Sequence, residues 1–201
     1  MKYFFLAFGD MSLRALNDLI SMNLKPEFVL THNNYLYSEY KESFYDKLQA
    51  VCVNNSLKCI RTDKISSYAD EISKTNLGIS VGFMEIIKPE IYNLPEYGIL
   101  NLHCGELPFY KGRAPISRTI MDGNQSLFIT LHKIDSGVDS GPVLVEKEII
   151  IEDDDDVNTL YYKCSIHCAA LLRDGIELLI SGRSDLFKEQ EFSDKYPPHQ
   201  K

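Results

Sequence analysis

Short apolar runs alternate along this chain with stretches whose apolar side chains recur every third or fourth position. That is the pattern of a polypeptide passing repeatedly from buried strand to amphipathic helix. Tyr3–Phe8 reads as a buried strand, and Gly9-Asp10 leads into a helix over Ser12–Met22 with Leu13, Leu16, Leu19 and Ile20 on one face. Phe28–Thr31 is a second strand. Tyr40–Asn54 carries Phe44, Leu48 and Val51 at helical spacing. Cys59–Ile60 is then a short strand, Ile65–Lys74 a helix and Leu77–Gly82 a central strand.

Lys88-Pro89, Leu94-Pro95 and Gly98 predict a loop with one short helical turn, after which Ile99–Leu102 is a strand. Pro115–Met121 reads as a helix with proline in its first turn, where the missing N–H costs nothing. Phe128–Ile134 and Val143–Ile150 are two further strands, joined by the glycine-punctuated loop Ser136–Pro142. The run Asp153–Asp156 is read as the loop and negative first turn of a last helix, Val157–Ile180, rather than as a cation site. Gly182 ends that helix. The predicted architecture is α/β: a doubly wound, Rossmann-like, mostly parallel sheet in a single domain, with a catalytic domain over 1–187. A polar tail over 188–201 is expected to be poorly ordered unless something docks on it. In such a sheet ligands bind outside the carboxyl ends of the strands.

Composition narrows the class. The chain has 201 residues, 44% apolar and 25% charged, enough to close a core without staples. It has neither a signal-peptide pattern nor a run of about eighteen apolar residues, so a cytoplasmic protein with no membrane partner is expected. A net charge of −8 supplies no basic face for a long nucleic acid and weighs against a tRNA substrate. It does not exclude a nucleotide-sized ligand. The cysteines, Cys52, Cys59, Cys104, Cys164 and Cys168, fit a reducing compartment. Cys164 and Cys168 around His167 are read as fillers of a helix face rather than metal ligands, because no second half-site exists.

The chemistry concentrates in Asn101-Leu-His103-Cys-Gly-Glu-Leu-Pro-Phe-Tyr-Lys-Gly-Arg-Ala-Pro115. A strand sends alternate side chains to one face, so Asn101 and His103 point together. They offer an amide for a developing oxyanion and an imidazole for proton transfer near neutral pH. Gly105, Pro108 and Gly112 turn the chain sharply beyond them. A second cluster follows: Thr130-Leu-His132-Lys-Ile-Asp135-Ser-Gly137-Val-Asp139-Ser-Gly141-Pro142.

These two motifs together resemble the folate-dependent formyltransferases, a family that includes glycinamide ribonucleotide, methionyl-tRNA and nucleotide-linked amino-sugar formyltransferases. Lys111–Ile116 and Ile86–Ile91 are most similar to segments of the last two groups, and the resemblance runs from Leu77 to Ile180. It implies the formyltransferase fold and 10-formyltetrahydrofolate as co-substrate, with no metal. It implies Asn101, His103 and Asp139 as the catalytic set. It also implies a folate pocket built from the loop around Phe83, Met84, Glu85 and Ile86, and from the segment ending at Ile134 and Asp135. The family's Ser-Leu after the histidine is Gly105-Glu106 here. Glu106 is left open between a ligand for an ammonium or sugar hydroxyl and an exposed turn residue.

The resemblance implies a small-molecule amine acceptor, foremost a nucleotide-linked amino sugar. Phe109 and Tyr110 can stack a ring, or simply pack, while Lys111 and Arg113 can pair a phosphate. A homodimer is compatible with this reading. A glycinamide ribonucleotide acceptor is the alternative, although Gly9-Asp10-Met11-Ser12 departs from that group's phosphate cradle. Asp10 repels a phosphate, whereas Ser12 and the helix N-terminus can hold one. The chain stops where the methionyl-tRNA enzymes continue and near Tyr196-Pro197, where the sugar enzymes do, so the tail is expected to be the start of a C-terminal extension that is either shortened or missing. A formyltetrahydrofolate hydrolase and a folate-binding protein without turnover are the rivals. The first is disfavoured by the absence of an N-terminal regulatory domain, the second by the presence of all three catalytic residues.

Overall fold

The computed structural model describes residues 1–33 and 38–191, without the side chains of 38–42 and 184. It divides into two compact units, Met1–Leu100 and Asn101–Lys201. In the first, strands β1 (Tyr3–Ala7), β2 (Phe28–His32), β3 (Lys58–Thr62) and β4 (Leu77–Val81) lie in the order β3-β2-β1-β4. Every pair among them is parallel. β1 and β4 are buried along their whole length, which is why they read as unbroken apolar runs rather than as alternating ones. Helices α1 (Asp10–Ser21) and α2 (Ser38–Asn54) form the connections, and α1 buries Leu13, Leu16 and Leu19 as its periodicity requires. Gly78 fits β4 because an added Cβ would lie 2.7 Å from the Phe4 ring.

Between β3 and β4 the expected helix over Ile65–Lys74 is instead a 3-10 turn, Ile65–Tyr68, followed by the single turn α3 (Ala69–Ile72). Ser73 and Thr75 close the stretch, their hydroxyls donating to the carbonyls of Asp70 at 3.0 Å and Ile72 at 2.7 Å. The expected short helical turn before β5 is α4 (Pro89–Tyr92).

Strand β5 (Ile99–His103) begins in the first unit and carries the chain into the second. There β5, β6 (Ser126–Lys133) and β7 (Val143–Ile150) are neighbours, β6 and β7 running antiparallel from Ser126↔Ile150 to His132↔Val143. β6 opens two residues before the expected start at Phe128, because Ser126 and Leu127 already pair with β7. Helix α5 is Pro115–Met121, and the long helix α6 (Val157–Ile180) packs on β6 and β7 through Leu160, Cys164, Cys168, Leu171, Leu172, Ile176 and Leu179. Cys164 and Cys168 are thus core residues. Gly175 lets α6 approach β6, since a Cβ there would meet Leu131 Cδ2 at 2.4 Å. The expected fold class, α/β with mainly parallel strand pairs, is what the two units contain.

The acidic run before α6 acts as read. Asp156 is the N-cap, accepting from the backbone N–H of Asn158 and Thr159 while Thr159 Oγ1 accepts from the Asp156 N–H. Lys163 reaches back to Asp155 at 2.6 Å and Glu152 at 2.9 Å. Tyr196-Pro197 and most of the tail lie outside the described residues. Among the described residues, no helix is long and apolar enough to cross a membrane. Asp156→Ala is expected to destabilise the protein by about 1 kcal/mol, the usual worth of such a cap. The check is urea unfolding, with the exposed neighbour substitution Asp154→Ala leaving stability within about 0.5 kcal/mol of the parent.

Candidate active site

Two residues at the end of β5 and one from the β6–β7 loop meet around a single carboxylate. Asn101 is half-buried and His103 is 7% exposed, both on the same face of the strand as the two-residue period requires. Asp139 reaches them from the loop: its Oδ1 lies 3.4 Å from Asn101 Nδ2, and its Oδ2 lies 3.5 Å from His103 Nδ1. The Gly112 N–H donates to that same Oδ2 at 2.8 Å. Gly112 adopts a left-handed backbone with φ 80°, which glycine alone enters without strain. The glycine between Lys111 and Arg113 therefore lets the loop turn an N–H onto Asp139.

Hydrogen bonding settles how His103 carries its proton. Its Nε2 lies 2.7 Å from the Tyr110 carbonyl oxygen, which can only accept. Neutral His103 is therefore protonated at Nε2, and Nδ1 presents its lone pair toward Asp139. Burial lowers the His103 pKa below 6.5, and the nearby Asp139 charge and the Tyr110 bond offset only part of that. Asp139 is pulled the other way. Burial raises its pKa, but His132, His103 and the Gly112 N–H overcome this and leave it at about 2. At neutral pH the site is a neutral imidazole beside a buried carboxylate.

His132 completes the cluster. Its Nδ1 donates to the Lys133 carbonyl at 3.1 Å, so its Nε2 accepts from Asn101 Nδ2, also at 3.1 Å. His132 Nε2 is 3.4 Å from Asp139 Oδ1, and its ring stands edge-on to that of His103 at 6.3 Å. One amide hydrogen of Asn101 is thus anchored on His132. The other makes the long 3.4 Å contact with Asp139 and is the one an incoming acceptor can take. Thr130, two residues before His132, donates to the Gly105 carbonyl at 2.9 Å and ties the turn after β5 to β6. The resemblance places His132 in the folate segment Leu131–Asp135 and leaves Thr130 without a role, because the contacts of both depend on backbone carbonyls that residue types do not reveal.

Other expected site residues fall in different places. Tyr110 is buried, and its hydroxyl donates to Asp122 at 2.9 Å while Arg118 lies over its ring. What Tyr110 brings to His103 is its carbonyl. Phe109, Glu106 and Lys111 are half-buried and Arg113 is exposed. Asp135 accepts from Ser140 Oγ at 2.6 Å and from the Gly137 N–H at 3.0 Å, so it braces the loop that holds Asp139, and Ile134 beside it is half-buried. In the first unit, the Ser12 hydroxyl donates to the Gly9 carbonyl at 2.7 Å, and Asp10 is exposed.

The loop after β4 has its own organiser, which the sequence reading passed over. His32, at the carboxyl end of β2, accepts from the backbone N–H groups of Met84 at 3.0 Å and Glu85 at 3.1 Å with the same Nε2. The Phe83 ring stacks on it with centroids 3.8 Å apart. Burial lowers the His32 pKa to about 4, which keeps Nε2 an acceptor. Met84 and Ile86 are exposed, and Glu85 Oε2 is buried without a hydrogen-bond partner. Burial also raises the Glu85 pKa. The His32 Nδ1 lies 4.0 Å from that Glu85 Oε2.

Comparison with known proteins gives this geometry a context. Residues 22–172 match the family model described as formyl transferase. Over 116 residues the chain is 37% identical to a methionyl-tRNA formyltransferase from Wolbachia pipientis, covering 57% of this chain and 37% of that relative. It therefore spans little more than a third of that relative's length. A solved phosphoribosylglycinamide formyltransferase from Anaplasma phagocytophilum superposes with a TM-score of 0.77 at 16% identity, covering 98% of this chain and 97% of its own. A sugar N-formyltransferase from Shewanella sp. FDAARGOS_354 does so with a TM-score of 0.73 at 16% identity, covering 98% and 75%. Both show the fold.

NMR titration of the His103 ring is expected to find its midpoint below 6.5. Asp139→Asn removes the charge that favours the imidazolium, so the midpoint moves lower still. A midpoint at or above the ordinary histidine value contradicts the dominance of burial.

Proposed function

The chain belongs to the formyl transferase family, and we propose that it transfers a formyl group from 10-formyltetrahydrofolate to a primary amine. The observation that carries this reading is the convergence of Asn101, His103 and Asp139. His103 has an unprotonated Nδ1 3.5 Å from the Asp139 carboxylate. 10-Formyltetrahydrofolate, when bound, supplies the activated formyl carbon and a nitrogen leaving group.

The chain's own residues supply the rest. Attack by the neutral amine places negative charge on the formyl oxygen and positive charge on the attacking nitrogen. Asn101 Nδ2 donates its loosely held hydrogen to that oxygen, with the amide plane fixed by His132. Removing such a donor typically costs about a hundred- to a thousandfold in kcat. His103 Nδ1 takes the proton from the nitrogen, and Asp139 stabilises the imidazolium this creates. The same proton then passes from Nδ1 to the folate leaving nitrogen as the C–N bond breaks, which restores neutral His103. Burial is useful here because a base already protonated at neutral pH cannot accept. Met84, Glu85 and Ile86, on the loop braced by His32 and Phe83, are proposed to contact the folate ring. Asp135 contributes by bracing its loop.

For the acceptor we propose a nucleotide-linked amino sugar, with Lys111 and Arg113 pairing the phosphates and Glu106 meeting the sugar. These cations flank Gly112, whose N–H touches Asp139, so a phosphate held there lies within a few residues of the reacting groups. The acidic chain, with a net charge of −8, disfavours a tRNA. A methionyl-tRNA acceptor is the second reading, favoured by the relative that shares 37% identity over 116 residues. The glycinamide ribonucleotide reading loses support because the Ser12 hydroxyl is turned back onto Gly9.

The test pairs the folate donor with amino-sugar nucleotides, glycinamide ribonucleotide and charged initiator tRNA, followed by product mass. A formylated sugar nucleotide is expected. Formate released as fast without any amine would make the protein a hydrolase instead. His103→Ala is expected to lower transfer by about a hundred- to ten-thousandfold while folate affinity stays within about twofold. Equal transfer in that variant would remove His103 from the chemistry. The acid limb of kcat/KM is expected below pH 6.5, since activity needs neutral His103 and ionised Asp139 and is lost as pH falls through the lowered histidine pKa.

A further inference from the structure

The loop that presents Asp139 is strained and needs support. Asp139 itself has φ 48°, in the left-handed region that non-glycine residues enter at a cost. Gly141 presses so close to the strand that a Cβ there would lie 1.9 Å from the Lys133 carbonyl oxygen. The loop is braced internally by Asp135. The carbonyls of Asp139 and Gly141 are not part of that internal brace.

Both carbonyls are capped by one side chain from far along the sequence. Gln190 Nε2 donates to the Asp139 carbonyl at 3.0 Å and to the Gly141 carbonyl at 2.7 Å. The amide orientation is unambiguous, because the flipped amide would set its oxygen against two carbonyl oxygens. Gln190 Oε1 is buried and has no hydrogen-bond partner among the described residues, so the polar contacts seen there are made through its donors. The segment that carries it is itself fixed: after α6 the chain returns to pair Lys188 with Val143, each N–H donating to the other's carbonyl at 2.8 Å.

We propose that Gln190 is a positioning residue for Asp139. By holding these two loop carbonyls it fixes the carboxylate against His103 Nδ1 and the Gly112 N–H. This rests on the formyl-transfer reading only for its effect on rate; its physical content is the placement of one carboxylate. The post-helical segment thereby becomes part of the proton-transfer apparatus, although it supplies no group to the substrate.

Two variants of the full chain test this. Gln190→Met keeps the side chain's length without its donors, and Gln190→Ala removes both; circular dichroism identifies the folded ones, and each folded variant is read. Amide exchange of Gly112, whose N–H rests on Asp139, is expected to quicken by roughly tenfold or more as the loop opens locally. The NMR midpoint of His103 is expected to move down, in the direction that Asp139→Asn moves it. If transfer is observed in the parent, kcat falls by about ten- to a hundredfold while the folate KM changes less than about threefold. A chain that transfers nothing leaves the exchange and titration readouts in force. A parent-like Gly112 exchange rate or a parent-like His103 midpoint in a folded variant overturns the proposal.

Discussion

One buried carboxylate organises the candidate site. Asp139 is ionised in a place where a lone anion would be costly, and the Asn101 amide and the Gly112 N–H donate to it there. Asn101, His103, His132 and the Gly112 N–H each approach one of its two oxygens within 3.5 Å. They come from three pieces of local structure: the end of β5, a glycine turn and the neighbouring strand. Neutralising Asp139 would leave every one of those contacts without its anion. The geometry of Asn101 and His103 is therefore not a property of β5 alone. It is the shape that β5, β6 and their loops take around one charge.

The opposite pKa displacements at the site follow from the same arrangement. Burial acts on both His103 and Asp139 by disfavouring the charged form. For the histidine burial wins, and the ring stays neutral. For the aspartate the neighbouring imidazoles and the Gly112 N–H together outweigh burial, and the carboxylate stays charged. A neutral base beside a fixed anion suits a reaction that generates a transient cation and then returns its proton. Two protonated partners, or two neutral ones, would not serve.

Much of this was legible in the sequence, because β1, β2 and β4 are buried along almost their whole length and appear as short apolar runs, while α1 and α6 carry long periodic faces. The meeting of Asn101, His103 and Asp139 followed from strand alternation and from two motifs that resemble one family. What escaped reading has a common cause. Tyr110 was weighed as a ring for stacking, whereas its carbonyl meets His103. His132 works through the Lys133 carbonyl, His32 through two backbone N–H groups, and Gln190 through two carbonyls. Ser12 spends its hydroxyl on Gly9. Side-chain chemistry can be inferred from residue types, but the main-chain groups that orient it appear only once the chain is folded.

The central claim is that neutral His103 keeps its proton on Nε2 and offers Nδ1 as the base. Nitrogen-15 NMR of the imidazole at neutral pH tests this directly, since protonated and unprotonated ring nitrogens resonate far apart. The account predicts a protonated Nε2 coupled to the Tyr110 carbonyl and an unprotonated Nδ1. A neutral ring carrying its proton on Nδ1, donated to Asp139, would contradict it.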